Sequence, residues 1–178
     1  MKNTKTNYLM EQDMKYCPMC GTSRSDSTVC WYCDFEEKPL EELSKEEIDE
    51  LMAPYEYEWI QGGARIKSVK NARSMRGKIP VPHFVTEIAP NAFADCKFLT
   101  RILLPAGLTS IGDGAFAYCR DLFDVFIPES VGYIGKGAFS YCFELGVICA
   151  AAPEKPDGWD SEWLADCSAR VEWSTKNE

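Results

Sequence analysis

Four cysteines near the amino terminus have the residue type and the spacing of a metal site. They form two Cys-x-x-Cys pairs separated by nine residues, and they are Cys17, Cys20, Cys30 and Cys33. Four thiolates on two tight turns match the tetrahedral coordination of Zn²⁺ and leave no open position for chemistry. The sequence therefore predicts one structural zinc ion bound within residues 15–35.

The spacing of these cysteines resembles a short zinc ribbon. The match is strong at the first pair, which Gly21 follows, whereas Asp34 follows the second pair. A module of this size is too small for a hydrophobic core, so metal binding would supply its folding free energy. Iron in a rubredoxin-like site is one alternative, because the Cys-Pro-x-Cys-Gly start is shared. Two disulfides are the other, and the lack of an apolar leader in residues 1–16 disfavours them.

The rest of the chain offers no catalytic constellation. His83 is the only histidine and lies beside Pro82, and no base marks Cys167 as a reactive thiol. The sequence also has no Walker loop, no dinucleotide-binding glycine motif and no nucleophile elbow. We therefore expect a protein that is not an enzyme and has no small-molecule substrate.

A 23-residue repeat organises the chain from Ile79 to about Val171. Its clearest columns are three phenylalanines, three cysteines and three isoleucines: Phe93, Phe116 and Phe139; Cys96, Cys119 and Cys142; Ile88, Ile111 and Ile134. A fixed period of this length containing L-x-x-L-x-L is typical of a leucine-rich solenoid. Each unit buries its apolar edge only against its neighbours, so Phe should lie over Phe and Cys over Cys, about 4.8 Å apart.

Within one unit the spacing predicts a short strand, a turn and a helical turn. In the middle copy a strand around Val125 ends at Pro128, because proline cannot donate to a ladder. Gly135 then lets the chain turn. In residues 138–142 apolar side chains three apart predict one face of a helical turn.

The unit can be read from Ala115 to Gly135 as A-F-x-x-C-x-x-L-x-x-V-x-I-P-x-x-V-x-x-I-G. It resembles the BspA-like leucine-rich repeats of bacterial and protist proteins, and the resemblance covers residues 58–173. It implies a mostly β fold with short helical turns, in which a right-handed solenoid has a parallel sheet on its concave side. It also implies a binding or adhesion module without enzymatic activity. Many members of this family lie at cell surfaces.

These features divide the chain into six segments. They are a flexible amino terminus (1–14), the zinc ribbon (15–35), an acidic linker with a short helix (36–54), an amino-terminal cap of the solenoid (55–78), the leucine-rich repeats (79–149) and a carboxy-terminal cap (150–178). In the linker, Ser44 and Glu47 form a capping box that starts the helix, and Pro54 ends it.

The two caps have different predicted contents. The first contains two strands, 55–60 and 64–69, on either side of a glycine turn. The second contains a loop, a short helix and a last strand at Val171, which returns to the 23-residue frame. Three tryptophans are expected to seal the open end of the core there: Trp159, Trp163 and Trp173.

The formal net charge of −9 is local. Residues 34–58 hold 11 acids and 2 bases, so the remaining 17 acids and 17 bases cancel. This acidity disfavours nucleic acid as a partner, and no stretch approaches the roughly 18 apolar residues of a membrane helix. Because the cysteines follow a metal pattern and the repeat, we expect a cytoplasmic protein.

Strand positions between the core residues define a candidate partner-binding face on the concave sheet. An apolar centre flanked by charge makes up this face, and its predicted contact residues are Arg101, Leu103, Phe123, Asp124, Phe126, Val147 and Cys149. Such a cluster with a polar rim is typical of a contact surface. We expect a protein partner or self-association there. The alternative is that the linker helix covers the face with Ile48, Leu51 and Met52.

Two other functions stay open. One is a regulatory protein whose zinc ribbon contacts nucleic acid, although residues 15–35 carry only Lys15 and Arg24 as bases. Salt-dependent binding to random duplex DNA would identify it. The other is a surface adhesin exported without a visible signal, which cell fractionation would reveal.

Overall fold

The computed structural model describes residues 40–174. A 3-10 turn, Leu40–Glu42, precedes helix α1, Lys45–Met52. Ten strands follow in this range: β1 Tyr55–Ile60, β2 Gly63–Val69, β3 Gly77–Pro80, β4 Val85–Ile88, β5 Leu99–Leu103, β6 Ser110–Ile111, β7 Asp124–Ile127, β8 Tyr133–Ile134, β9 Val147–Ala150 and β10 Arg170–Trp173. The predicted zinc ribbon lies outside the described residues.

The strands form two five-stranded sheets. Sheet I has the order β10-β9-β7-β5-β3 and is parallel throughout. Its register aligns one column of the repeat, which consists of Ile79, Ile102, Val125, Ile148 and Val171. These five strands confirm the predicted solenoid, its 23-residue period and the return of Val171 to the frame.

Sheet II contains the two strands predicted in the amino-terminal cap, β1 and β2, but its continuation through the repeats was not expected from the sequence. It has the order β1-β2-β4-β6-β8, and only the β1–β2 pair is antiparallel. Two of its strands, β6 and β8, contain two residues each and align Ile111 with Ile134. Strands this short show no alternation of apolar and polar residues, which is the signal that sequence periodicity detects.

The outer corner of each coil is a series of hydrogen-bonded turns. In the middle copy the N–H of Cys119 donates to the carbonyl of Phe116 at 3.3 Å. Tyr118, between them in the chain, has a φ of 62°, and such a left-handed residue interrupts a right-handed helix. The prediction of short helical turns is therefore wrong in the repeats. Residues 161–166 of the second cap are likewise turns and not a short helix.

The core between the sheets is a stack of the repeat columns. The ring of Phe116 lies 5.1 Å from that of Phe93 and 5.2 Å from that of Phe139, measured between centroids. All three side chains are fully buried, as are Cys96 and Cys119. The predicted stacking of Phe over Phe is confirmed.

The two ends of the stack are closed by different elements. At the amino-terminal end, α1 begins with the predicted capping box, in which Ser44 and Glu47 exchange two hydrogen bonds. Met52 from its last turn is buried, and Tyr55 packs edge-on against Phe93. At the other end the tryptophan rings pack together and against Phe139, as predicted, and these rings are Trp159, Trp163 and Trp173.

Among residues 40–174, no helix has the length and the apolar character that crossing a bilayer requires.

Candidate partner-binding face

The outward face of sheet I carries most of the predicted contact residues. Since successive strand residues point to opposite faces, the side chains between the core positions form two rows across the strands. The first row is Lys78, Arg101, Asp124, Val147 and Arg170, and the second is Pro80, Leu103, Phe126, Cys149 and Glu172. Parallel pairing in register therefore brings the predicted residues of β5, β7 and β9 together.

An ion pair joins the first row across β5 and β7. The guanidinium of Arg101 donates from Nε to Oδ1 of Asp124 at 2.6 Å and from Nη2 to Oδ2 at 2.7 Å. Two parallel hydrogen bonds fix both side chains in one orientation. A second pair, Arg170 with Glu172, lies on β10. Fixed charges therefore lie on both sides of the apolar part of the face.

Leu103 does not lie on the accessible part of this face. Its side chain is 2% exposed, so the expectation that it faces solvent is wrong. Pro80 is its register partner on β3, and Phe126 occupies the same repeat position on β7. Bulky apolar neighbours on both adjoining strands cover a side chain between them, which accounts for the loss of its surface.

The remaining apolar residues are partly accessible. Phe126, Val147 and Cys149 are half-buried, and Phe123, just before β7, is 60% exposed. Burial first, and then the Glu172 carboxylate, raise the pKa of the Cys149 thiol. The thiol of Cys149 therefore stays protonated at neutral pH and acts as a small apolar group.

Helix α1 does not cover this face. Among the strands it contacts only β1, and its apolar residues Ile48, Leu51 and Met52 pack against the core at the amino-terminal end. The internal cover that the sequence left open as an alternative is therefore wrong for this helix.

A recess that the sequence did not suggest lies on the outward face of sheet II. It has a volume of about 350 Å³ and is lined in part by Arg65, Glu87, Ser110, Asp113 and Tyr133. The guanidinium of Arg65 contacts the carboxylates of both Glu58 and Glu87. The charge of Arg65 is thus satisfied within the fold. No sequence motif marked this recess, because the residues that line it occupy different positions of the repeat on short strands.

The predicted metal ligands Cys17, Cys20, Cys30 and Cys33 lie outside the described residues. Within residues 40–174, no three side chains of the metal-binding types come together. Every cysteine in that range is a free thiol: Cys96, Cys119, Cys142, Cys149 and Cys167.

Comparison with known proteins agrees with this architecture. Residues 70–152 match a family described as the BspA type leucine rich repeat region. A leucine-rich repeat protein from Bacteroides capillosus is 29% identical, with a TM-score of 0.55, over 68% of this chain and 95% of that one. A leucine rich cell surface protein from Faecalibacterium prausnitzii is 21% identical with a TM-score of 0.49, and this chain spans 38% of its length. No curated protein matches the sequence significantly.

Fold and match together define residues 70–152 as part of a leucine-rich repeat solenoid. In that range the repeats are similar to those of the BspA type. Such a solenoid fits a protein-interaction or surface module, and proteins of this kind are typically non-enzymatic.

Proposed function

We propose that the chain is a non-enzymatic protein-interaction module whose partner binds the outward face of sheet I. One observation carries the proposal: a partly exposed apolar group, Phe126, Val147 and Cys149, lies between two ion pairs on a regular parallel sheet. Apolar centres with charged rims are typical of binding surfaces.

The parts of this face have different roles in binding. Phe126 and Phe123 offer aromatic surface, which often supplies most of the binding free energy at an interface. The Arg101–Asp124 pair is already organised before binding, so little side-chain entropy remains to be lost there. We expect the aromatic residues to set affinity and the paired charges to set the orientation of the partner.

Affinity capture from the native cell tests this proposal. The variant Phe126→Thr with Val147→Thr removes the apolar centre and places a β-branched residue, which suits a strand, at both positions. Leu103 is left intact because it is buried. The matched control is Tyr133→Thr, which removes a 47% exposed ring from sheet II. We expect the double variant to lose the captured protein, or its own self-association, at an unchanged Tm.

Two results would contradict the proposal. One is a double variant that retains the partner of the wild type. The other is loss of the partner from the Tyr133→Thr control, because that result would assign binding to sheet II.

We further propose that Cys17, Cys20, Cys30 and Cys33 hold a structural zinc ion and that the protein is cytoplasmic. The four-sulfur donor set supports the first statement. The free thiols of the described cysteines support the second, because thiols persist in reducing compartments. Zinc analysis of the purified chain and fractionation of the native cell test the two separately.

A further inference from the structure

At one surface position of the repeat, the backbone adopts a conformation that most side chains disfavour. The residues at this position in four successive coils are Asp95, Tyr118, Tyr141 and Asp166, and their φ angles are 64°, 62°, 59° and 56°. Aspartate and asparagine tolerate this left-handed conformation, whereas a bulky side chain is strained in it. The two tyrosines therefore occupy positions where a smaller polar residue would fit better.

Core packing does not account for these tyrosines. Tyr118 is 42% exposed, and neither ring belongs to the hydrophobic core. The rings stack on each other with centroids 4.6 Å apart and planes 13° apart. Phe143, 63% exposed, meets the edge of Tyr141 at 6.3 Å. Residues held in strained backbone conformations cluster at functional sites, so this pair of tyrosines is a candidate binding surface.

The charges around this aromatic ridge are mostly negative. Its exposed acids are Asp95, Asp121, Glu144 and Asp166, and its exposed bases are Lys97 and Arg120. The ion pair of Lys97 with Asp95 has a length of 3.5 Å and is largely solvated, so it is weak and open to competition. The Asp166 carboxylate beside the Tyr141 hydroxyl raises the pKa of Tyr141, which keeps that ring neutral.

A cation already binds one ring of this corner region. The guanidinium carbon of Arg76 lies 4.2 Å from the ring centroid of Phe98, a cation–π contact. In the Tyr118–Tyr141 stack each ring covers one face of the other. The other face of Tyr118 is directed toward the preceding coil, which carries Asp95. The two coils are adjacent, because the N–H of Asp95 donates to the carbonyl of Ala117 at 2.9 Å.

We propose that the ridge of Tyr118, Tyr141 and Phe143 binds an arginine-containing basic segment of a partner protein. The guanidinium lies over the open face of Tyr118 and pairs with the acids beside it. Arginine is preferred to lysine because its planar group stacks on an aromatic face while its nitrogens pair with carboxylates. This surface is separate from the outward face of sheet I and contains none of its residues.

Fluorescence anisotropy with the full chain tests the proposal. The probe is a labelled arginine-rich peptide, compared with peptides of the same length that carry lysine or glutamine instead. The variant is Tyr118→Asn with Tyr141→Asn, and Tyr133→Asn is the control for loss of an exposed tyrosine elsewhere. We expect wild type and control to bind in the order arginine, lysine, glutamine. The double variant should bind the arginine peptide about tenfold more weakly.

Thermal melting of the same variants gives the second readout. Asparagine fits the left-handed conformation, so the double variant should melt at or above the wild-type temperature. A double variant that melts several degrees lower would show that the stack has a structural role and would overturn the proposal. Equal binding of the arginine and glutamine peptides would also overturn the proposal, as would unaltered binding of the arginine peptide by the double variant. A wild-type chain that dimerises and a double variant that does not would overturn it too, because the ridge would then bind a second copy of the chain.

Discussion

Phe116 illustrates how single residues hold the solenoid together. Its ring is fully buried, and it stacks on the equivalent rings of the coils before and after it at 5.1 and 5.2 Å. No single coil can bury this ring alone, so the stack links the stability of each coil to that of its neighbours.

The variant Phe116→Ala should therefore lower the free energy of unfolding by about 3–5 kcal/mol, as a core cavity does. The control is Phe123→Ala, which removes a 60% exposed ring from the same coil and should change the free energy by about 0.5 kcal/mol or less. Chemical denaturation of both variants measures the difference. Equal losses in the two variants would mean that the ring stack is not the core.

The buried thiols form a second column of hydrogen bonds between coils. The Sγ of Cys119 donates to the carbonyl of Phe93 at 3.2 Å, and that of Cys142 donates to the carbonyl of Phe116 at 3.1 Å. Burial raises the pKa of Cys142 from 9.0 to about 12. A hydrogen bond with Cys96 and then burial raise the pKa of Cys119. Both thiols are therefore protonated donors across the neutral range.

This shift predicts a loss of stability at high pH. The unfolded thiol of Cys142 ionises near pH 9.0, whereas the folded thiol stays protonated to about pH 12. Its contribution is complete below the unfolded pKa and falls by roughly 1.4 kcal/mol per pH unit as pH rises between the two values. Denaturation at several pH values should show a shallower slope for Cys142→Ala than for the wild type. Identical slopes would contradict the buried-thiol account.

At the scale of elements, the spacing between coils is set where β8 ends. Gly135 donates its N–H to the carbonyl of Ile111 at 2.8 Å. A side-chain carbon at Gly135 would lie only 2.5 Å from the backbone nitrogen of Asp113. The glycine is therefore needed for close approach of two coils, and not for the turn that the sequence suggested.

Gly135→Ala should cost about 1–3 kcal/mol of stability, because the added methyl group forces the coils apart. Gly132→Ala is the matched control, since a side-chain carbon there meets no atom within 4 Å, and it should cost about 0.5 kcal/mol or less. Thermal melting compares the two. Because Gly→Ala lowers the entropy of the unfolded chain and stabilises where space allows, a Gly132→Ala variant as unstable as Gly135→Ala would contradict the role given to coil spacing.

The sequence predicted those elements whose residues recur in columns. The columns of Phe116 and Val125 set the register of the core and of sheet I, because side-chain identity repeats with the coil. Strands β4, β6 and β8 of sheet II and the left-handed Tyr118 were not predicted, since they depend on backbone hydrogen bonds between coils. Leu103 was misplaced because alternation along one strand says nothing about cover from neighbouring strands.

At the scale of the whole molecule, the hydrophobic core runs continuously through the described residues 40–174, from Met52 to Trp163. The zinc proposal therefore predicts two separate effects. Cys20→Ser or Cys33→Ser should remove the bound zinc, found at one ion per chain in the wild type, and leave the melting of the solenoid nearly unchanged. Metal analysis and calorimetry check this. A zinc content near zero in protein purified without chelator would contradict the prediction.

Site-specific photocrosslinking in the native cell tests the central claim, that a protein partner binds the outward face of sheet I. A photoreactive phenylalanine analogue is placed at Phe126 on sheet I, at Tyr133 on sheet II, or at Phe143 on the aromatic ridge. Mass spectrometry then identifies the crosslinked chain. The account predicts one recurrent protein crosslinked at Phe126 and absent at Tyr133. A partner that crosslinks at Tyr133 and not at Phe126 would contradict it.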